Sequence, residues 1–198
     1  MLKIGLTGGI GSGKSSVSAL FNKWGAYIFD SDKEAKLILE SNETMQNELI
    51  AEFGTDVLNP KGGIDKAKLA RIAFQDEDHQ LRINTVMHPY IFSEIDKMYN
   101  KILASNKHEI FVVDAALIYE SGADTHMDYV IVVTSHLKLR TERVMSRGDL
   151  NRDEFFKRLD LQWPDEDKIH IADFVIHNNG TEKQLETEAK TIYDRLYG

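Results

Sequence analysis

The sequence predicts an α/β fold in which helices flank a parallel five-stranded sheet. Short apolar runs alternate with segments of helical periodicity, the pattern of parallel strands joined by right-handed crossover helices. Residues 129–133, YVIVV, are apolar without interruption, as expected for a strand that is covered on both faces. Residues 8–15 form a glycine-rich loop between the first predicted strand and the first predicted helix. This loop places the predicted fold among the P-loop NTPase types.

The strands and core helices follow from local periodicity. Strands are predicted at residues 2–7, 27–29, 110–113, 129–133 and 174–176. Core helices are predicted at residues 15–24, 136–147, 151–163 and 181–196. Asn151 and Glu154 have the spacing of a capping box at the start of the third of these helices. Because ligands bind at the carboxyl ends of parallel strands, the polar residues found there are candidates for a functional site.

A long segment of helical character interrupts the strand pattern. Ser31 and Glu34 have the spacing of a capping box, and Gly54 is predicted to close a later helix. Pro89 suits the first position of another helix. The sequence therefore predicts a helical insert of residues 31–104 between two parts of a core, residues 1–30 and 105–198.

Composition limits the class of protein. The chain has 198 residues, of which 42% are hydrophobic and 28% charged, so it can bury a core without disulfides. It has no cysteine, which excludes disulfides and thiolate zinc sites. No apolar run approaches the roughly 20 residues that span a bilayer, so we expect no membrane partner and a cytoplasmic location. The formal net charge of −8 argues against a nucleic-acid partner.

The glycine loop predicts a nucleotide site. Residues 8–15, GGIGSGKS, match the pattern G-x-x-x-x-G-K-[ST] in full. Glycines allow consecutive backbone N–H groups to turn toward a phosphate, and the following helix presents its N-terminus to the same anion. Lys14 can reach the β- and γ-phosphates, and the Ser15 hydroxyl can bind Mg²⁺. The predicted ATP-binding residues in this region are Gly9, Gly11, Ser12, Gly13, Lys14, Ser15 and Ser16.

Three acidic residues lie at or beyond the ends of predicted strands. A carboxylate there can accept the proton of an attacking hydroxyl or help to hold Mg²⁺, yet Asp is also a common cap at strand-to-helix turns. The residues alone leave these readings of Asp30 and Asp32 nearly balanced. Asp32 is the better placed to face a substrate held by the insert, and Asp30 suits hydrogen bonding to loop backbone. Asp114 ends the third strand and is a possible Mg²⁺ ligand, either directly or through water.

A basic helix offers a second source of positive charge. Arg143 and Arg147 are four residues apart and share one helix face, where they can stabilise charge on a transferring phosphoryl group. Lys138 and Arg140 are interpreted as ordinary solvated residues. His88 can cap a helix or contact a substrate, and the sequence favours the cap.

Nearly the whole chain resembles the dephospho-coenzyme A kinases. The matching landmarks are, in chain order, residues 6–15 (LTGGIGSGKS), Asp30-Ser31-Asp32, His88-Pro89, residues 117–120 (LIYE), Arg143, Arg147, Gln162, Ala172-Asp173 and Asn178-Asn179-Gly180. Many P-loop proteins share the loop alone. The Asp-Ser-Asp, His-Pro and Asn-Asn-Gly steps together are much more specific.

The resemblance implies phosphorylation of the ribose 3′-hydroxyl of dephospho-CoA by ATP with Mg²⁺, the last step of coenzyme A synthesis. It implies Asp32 as the catalytic base, with Lys14 and Arg143 also in the chemistry. Arg147 and Asn179 are expected to contact ATP. The expected acceptor contacts are Thr7, Asp32, Lys36, His88 and Leu117. The resemblance also implies that residues 1–30 and 105–198 are the nucleotide-binding core, with a helical lid at about residues 138–165, and that the insert of residues 31–104 binds the acceptor substrate. We expect a monomer.

Two other functions remain compatible with the loop alone. A kinase for a nucleoside, a nucleotide or a shikimate-like acceptor would share it, but the more specific landmarks argue against that acceptor class. A nucleotide-dependent switch of the GTPase type should carry an Asn-Lys-x-Asp signature, which the sequence lacks. A screen of acceptors distinguishes the kinases, and nucleotide consumption distinguishes a kinase from a switch.

Overall fold

A computed structural model describes residues 1–197 and contains one five-stranded parallel sheet. The strands are β1 (Leu2–Thr7), β2 (Tyr27–Asp30), β3 (Ile110–Asp114), β4 (Tyr129–Thr134) and β5 (Phe174–His177). Their order across the sheet is β2-β3-β1-β4-β5, and each neighbouring pair is parallel. The predicted fold class is confirmed. The central position of β1 brings the glycine loop to the middle of the carboxyl edge.

Helices account for most of the remaining chain. They are α1 (Lys14–Lys23), α2 (Ser31–Ser41), α3 (Glu43–Phe53), α4 (Lys66–Ala73), α5 (Glu77–Ser105), α6 (Leu137–Arg147), α7 (Arg152–Asp160), α8 (Asp165–Ile171) and α9 (Glu182–Leu196). None of the described helices has both the length and the apolar character needed to cross a membrane. The described chain divides into two compact units. The first comprises Met1–Asp30 and the chain from Ile95 onward, and the second is Ser31–Glu94.

The first unit has its core between the sheet and two helices. Ile4 of β1, Ile131 of β4 and Phe21 of α1 are completely buried in one apolar cluster. The rings of Tyr193 in α9 and Phe21 form a T-shaped pair with 5.2 Å between their centroids. Burial of large apolar side chains is the main stabilising contribution to folding. The packing therefore fixes β1 and α1, which carry the two ends of the glycine loop.

The second unit has an apolar core of its own. Met45 and Leu49 of α3 are completely buried with Val57, and Leu69 of α4 packs in the same cluster. The Asn42 side chain caps α3 by accepting a hydrogen bond from a backbone N–H. Gly54 ends the same helix at φ 64°, which confirms its predicted position. Residues 31–94 thus have the apolar cluster and the helix caps expected of a compact unit.

Three local predictions are wrong, and each error has a physical reason. The Ser31–Glu34 capping box is absent because α2 begins directly at the end of β2, and the Ser31 hydroxyl is buried without a hydrogen-bond partner among the described residues. Pro89 lies inside the 29-residue helix α5 rather than at a helix start. The helix continues through Pro89 despite the lost hydrogen bond, because Met87 and Tyr90 on either side of it pack against the apolar cluster of the second unit. The helix that begins after Asn151 ends at Asp160, and α8 follows as a separate helix. The capping box of Asn151 and Glu154 is confirmed.

Candidate active site

The loop between β1 and α1 contains positions that only glycine suits. Gly11 and Gly13 have φ values of 80° and 98°, in the left-handed region that disfavours residues with a side chain. A Cβ on Gly13 would lie 2.0 Å from the Asn178 amide nitrogen, and a Cβ on Gly9 would lie 2.2 Å from Arg140 Nη2. Asn178 and Arg140 therefore lie so close to the loop that Gly13 and Gly9 leave no room for a side chain.

We expect Gly13→Ala to destabilise the first unit. The left-handed torsion costs about 1–2 kcal/mol for a residue with a Cβ, and the collision with Asn178 adds about 1–3 kcal/mol. Gly122→Ala is a matched control, because Gly122 has φ 71° and nothing lies within 4 Å of the position that a Cβ would take there. Urea unfolding should give a lower midpoint for Gly13→Ala than for Gly122→Ala. Equal midpoints would contradict the proposed close packing of the loop.

Arg140 is buried against the loop, so its prediction as a solvated residue is wrong. It is 4% exposed, its Nε donates to the carbonyl oxygen of Ile10 at 2.8 Å, and its Nη1 donates to Asp165 Oδ2 at 2.9 Å. The hydroxyl of Thr134 donates to the same carboxylate oxygen at 2.9 Å. The reason for the error is helical geometry. Arg140 is three residues before Arg143 and shares its face of α6.

Two buried donors beside the loop have no partner among the described residues. They are Arg140 Nη2 and the hydroxyl of Ser12. An unpaired buried polar group costs about 1–3 kcal/mol, so such groups need a ligand or water to satisfy them. The N-terminus of α1, which begins just after Gly13, opens onto the same loop and favours negative charge. These features fit a phosphate group.

Arg143 connects the loop to the segment after β5. Its Nη2 donates to the carbonyl oxygen of Asn178 at 2.9 Å, and its Nη1 donates to the Ser135 hydroxyl at 3.1 Å and to the Ser12 carbonyl oxygen at 3.4 Å. The Asn178 amide also donates to the Ser12 carbonyl oxygen, at 2.8 Å. Arg147 is exposed at the last turn of α6. Of the two predicted arginines, Arg143 is therefore the one that contacts the loop.

Lys14 forms an ion pair with Asp114 at the carboxyl edge of the sheet. The side chains are 19% and 10% exposed, respectively. Because Asp114 and Leu6 are register partners in β3 and β1, the end of β3 lies beside the start of the loop. Lys14 and Asp114, which were predicted from separate motifs, are thus in contact. Phosphate oxygens of a bound nucleotide would compete with the Asp114 carboxylate for the Lys14 ammonium.

Other candidates lie around this centre. The Thr7 hydroxyl donates to the carbonyl oxygen of Ala116 at 3.0 Å, and the next residue, Leu117, is partly buried. Asn179 accepts a hydrogen bond from the backbone N–H of His136 at 2.8 Å. The Gln162 side chain accepts a hydrogen bond from the backbone N–H of Ile10 in the loop, at 3.0 Å.

The two serines after Lys14 face solvent. Ser15 and Ser16 are exposed in the first turn of α1.

The remaining candidates belong to the second unit. Asp32 and Lys36 lie one turn apart on the same face of α2, and both are exposed. His88 is partly buried in α5, where its ring lies 5.7 Å from the ring of Phe92. Burial lowers the pKa of His88 below its ordinary value. We therefore expect His88 to be neutral at physiological pH and to act by hydrogen bonding or packing rather than as a cation.

Sequence reasoning missed Asp165 and misjudged Arg140. The spacing of Arg140 to Arg143 was a usable signal, because residues three apart lie on one helix face. No comparable signal marks Asp165, since an acid in the first turn of a helix is common for electrostatic reasons alone.

The loop, Lys14 and the two arginines that contact the loop are those of a P-loop phosphotransferase, in which catalysis depends on positioning and neutralising phosphates. The model of the dephospho-CoA kinase family matches residues 2–184. The chain belongs to the dephospho-CoA kinase family, which confirms the resemblance noted in its sequence.

Individual relatives agree with this assignment. A dephospho-CoA kinase of Corynebacterium glutamicum is 38% identical over 97% of this chain and 96% of its own length. The crystal structure of TT1252 from Thermus thermophilus has a TM-score of 0.79 and 30% identity, covering 100% of this chain and 98% of that one. A dephospho-CoA kinase structure from Campylobacter jejuni has a TM-score of 0.67 and 26% identity, covering 98% and 96%, respectively.

Proposed function

We propose that this protein transfers the γ-phosphate of ATP to the ribose 3′-hydroxyl of dephospho-CoA, giving coenzyme A and ADP. The observation that carries the proposal is the loop itself, with two unpaired buried donors and Lys14 at the centre of the sheet edge. Family membership over residues 2–184 supports the acceptor.

The loop region supplies the phosphate-binding charge. The chain is acidic, with a formal net charge of −8, yet Arg140 and Arg143 both donate hydrogen bonds to carbonyl oxygens of residues 8–16. Lys14, which belongs to the same loop, adds a third positive charge. Backbone N–H groups of the loop and these cations hold the phosphates and stabilise the charge on the transferring group. Asn179, beside the start of α6, is proposed to approach the base of ATP, and Arg147 to contact its phosphates.

Mg²⁺ fits the oxygen-bearing residues at this centre. The Ser15 hydroxyl would hold the ion, and the Asp114 carboxylate would bind it through water, since oxygen ligands suit this hard cation. When bound, Mg²⁺ neutralises charge on the phosphates. Lys14 is paired with Asp114. When the Lys14 ammonium binds phosphate, we therefore expect the Asp114 carboxylate to be released from this pair.

Asp32 is proposed to act as the base. It lies two residues beyond the last residue of β2, and adjacent Cα atoms are about 3.8 Å apart, so the chain keeps it close to the carboxyl edge of that strand. Its carboxylate takes the proton of the 3′-hydroxyl as the hydroxyl oxygen attacks the γ-phosphorus and ADP leaves. Exposed Lys36, one turn along α2, and partly buried His88 are proposed to hold the acceptor, with Thr7 and Leu117.

The test is a coupled assay for ADP with Mg²⁺-ATP and dephospho-CoA, with the product identified by mass. ADP formation should depend on dephospho-CoA, and the product should have the mass of coenzyme A. Shikimate and nucleosides serve as control acceptors, and preferential turnover of either would reject the proposed acceptor. We also propose a cytoplasmic monomer, and size-exclusion chromatography with light scattering tests the oligomeric state.

A further inference from the structure

Lys168 of α8 is a charged residue with no exposed side-chain surface. Its Nζ lies 2.6 Å from Glu120 Oε1, and the Glu120 side chain is only 11% exposed. A buried ion pair usually adds little net stability, because removing both charges from water costs about as much as their attraction returns. The stability of the fold alone therefore does not account for this pair.

The partners of the ion pair connect three segments of the first unit. Lys168 Nζ also approaches the carbonyl oxygen of Ala116, at 3.4 Å, and the Thr7 hydroxyl donates to that same oxygen at 3.0 Å. Glu120 Oε1 accepts a second hydrogen bond, from the backbone N–H of Trp163 at 2.9 Å. The end of β1, the segment after β3 and the chain leading into α8 thus meet at Ala116 and Glu120.

Packing restricts the segment after β3 further. The ring of Tyr119 is stacked on the ring of Trp163, with centroids 6.4 Å apart and planes 8° apart. Burial raises the pKa of Tyr119 to about 12, so the phenol stays neutral. Residues 115–120 therefore have polar contacts through Ala116 and Glu120 and an aromatic contact through Tyr119.

Ala116 stands between two residues assigned to the reaction. Asp114, two residues before it, pairs with Lys14, and Leu117, immediately after it, is a proposed acceptor contact. Fixing the Ala116 carbonyl fixes the plane of the peptide bond that joins Ala116 to Leu117. The Lys168 ammonium contacts Glu120 and Ala116, and neither of these residues lies in the phosphate-binding loop.

We propose that Lys168 is a positioning residue for the acceptor. Through Glu120 and the Ala116 carbonyl it holds residues 115–120 in the conformation that receives dephospho-CoA, and its loss should weaken acceptor binding much more than ATP binding. This inference rests on the proposed function, because it assigns the same site a determinant of acceptor affinity.

Lys168→Met tests the inference in steady-state kinetics. Misplacing a substrate-contacting segment by about 1 Å can cost up to about 10²-fold in rate, so we expect KM for dephospho-CoA to rise about tenfold or more. KM for ATP should stay within about twofold of the unsubstituted protein, because the residues that Lys168 contacts lie outside the phosphate-binding loop. A smaller folded fraction of the variant would lower the apparent kcat without raising KM for dephospho-CoA. Lys190→Met is the control, since Lys190 forms an exposed ion pair with Asp194 in α9.

A double variant separates positioning from a purely structural role. Lys168→Met alone leaves the Glu120 carboxylate buried without its cation, which lowers stability. Adding Glu120→Gln removes that charge, so Tm should recover, whereas KM for dephospho-CoA should stay high because the Ala116 carbonyl still lacks the ammonium. A KM that returns to normal together with Tm would overturn the inference, as would an unchanged KM in Lys168→Met.

The two proposals fail in different ways. If the unsubstituted protein consumes ATP only with another acceptor, the proposed function is rejected and the inference falls with it. If the unsubstituted protein makes coenzyme A and Lys168→Met retains its acceptor KM, only the inference is rejected.

Discussion

Lys14→Met should lower kcat for phosphorylation of dephospho-CoA by about 10²–10³-fold, the cost of removing one preorganised charge-stabilising donor. The methionine keeps most of the length of the side chain and removes the ammonium. Negative charge develops on the oxygen that departs with ADP as the γ-phosphoryl group is transferred, so the loss falls mainly on the transition state. The binding of ATP should weaken less, because the loop N–H groups and the arginines beside the loop remain.

The same substitution also leaves Asp114 without its ion-pair partner. Some loss of stability is therefore expected, and circular dichroism at the assay temperature must show that the variant is folded before kcat is compared. Lys190→Met, at an exposed pair in α9, is the matched control and should retain full activity. If a folded Lys14→Met variant keeps a kcat within about tenfold of that of the unsubstituted protein, the loss in kcat is smaller than the removal of a charge-stabilising donor should cause. That result would mean that Lys14 has no direct part in the chemistry.

The fold could be predicted because its elements carry strong local signals. Strands β3 and β4 are apolar up to their last residue, as burial on both faces of a parallel sheet requires. The glycine loop is constrained by left-handed torsions at Gly11 and Gly13, so its sequence cannot vary freely. Backbone requirements of this kind are visible in the sequence before any tertiary contact is known.

The errors arose where tertiary contacts decide the outcome. An arginine on a polar helix face is solvated unless something packs against it, and the partner of Arg140, Asp165, lies 25 residues away in another helix. Pro89 marks a helix start in most local contexts, yet the surrounding sequence of α5 continues the helix on both sides. The Lys168–Glu120 pair spans 48 residues of sequence, and no local pattern connects its members.

The candidate site was predictable in part for the same reason. Lys14 and Asp114 come from motifs that each belong to one strand end, and parallel topology alone brings such ends together. Arg143 was predicted from helical spacing and from the glycine loop that precedes it in the sequence. Its observed partners, Ser12, Ser135 and Asn178, come from three separate segments and could not be read from the sequence.

Asp32→Asn should lower kcat by about 10²–10⁴-fold, the range contributed by a positioned general base. Asparagine preserves the size of the side chain and most of its hydrogen bonding, but it cannot take the proton of the 3′-hydroxyl. Asp32 lies exposed in the first turn of α2, so the free energy of unfolding should change by no more than about 0.5 kcal/mol. Loss of activity without loss of stability is therefore the expected result, with KM for ATP unchanged.

Asp30→Asn provides the comparison that decides between the two neighbouring carboxylates. Asp30 is the last residue of β2 and pairs in register with Asp114 of β3, so it belongs to the sheet edge rather than to the second unit. If Asp32 is the base, Asp30→Asn should retain most of the kcat that Asp32→Asn loses. The reverse result would transfer the role to Asp30, and equal, small effects of both substitutions would mean that positioning and charge stabilisation account for catalysis without a carboxylate base.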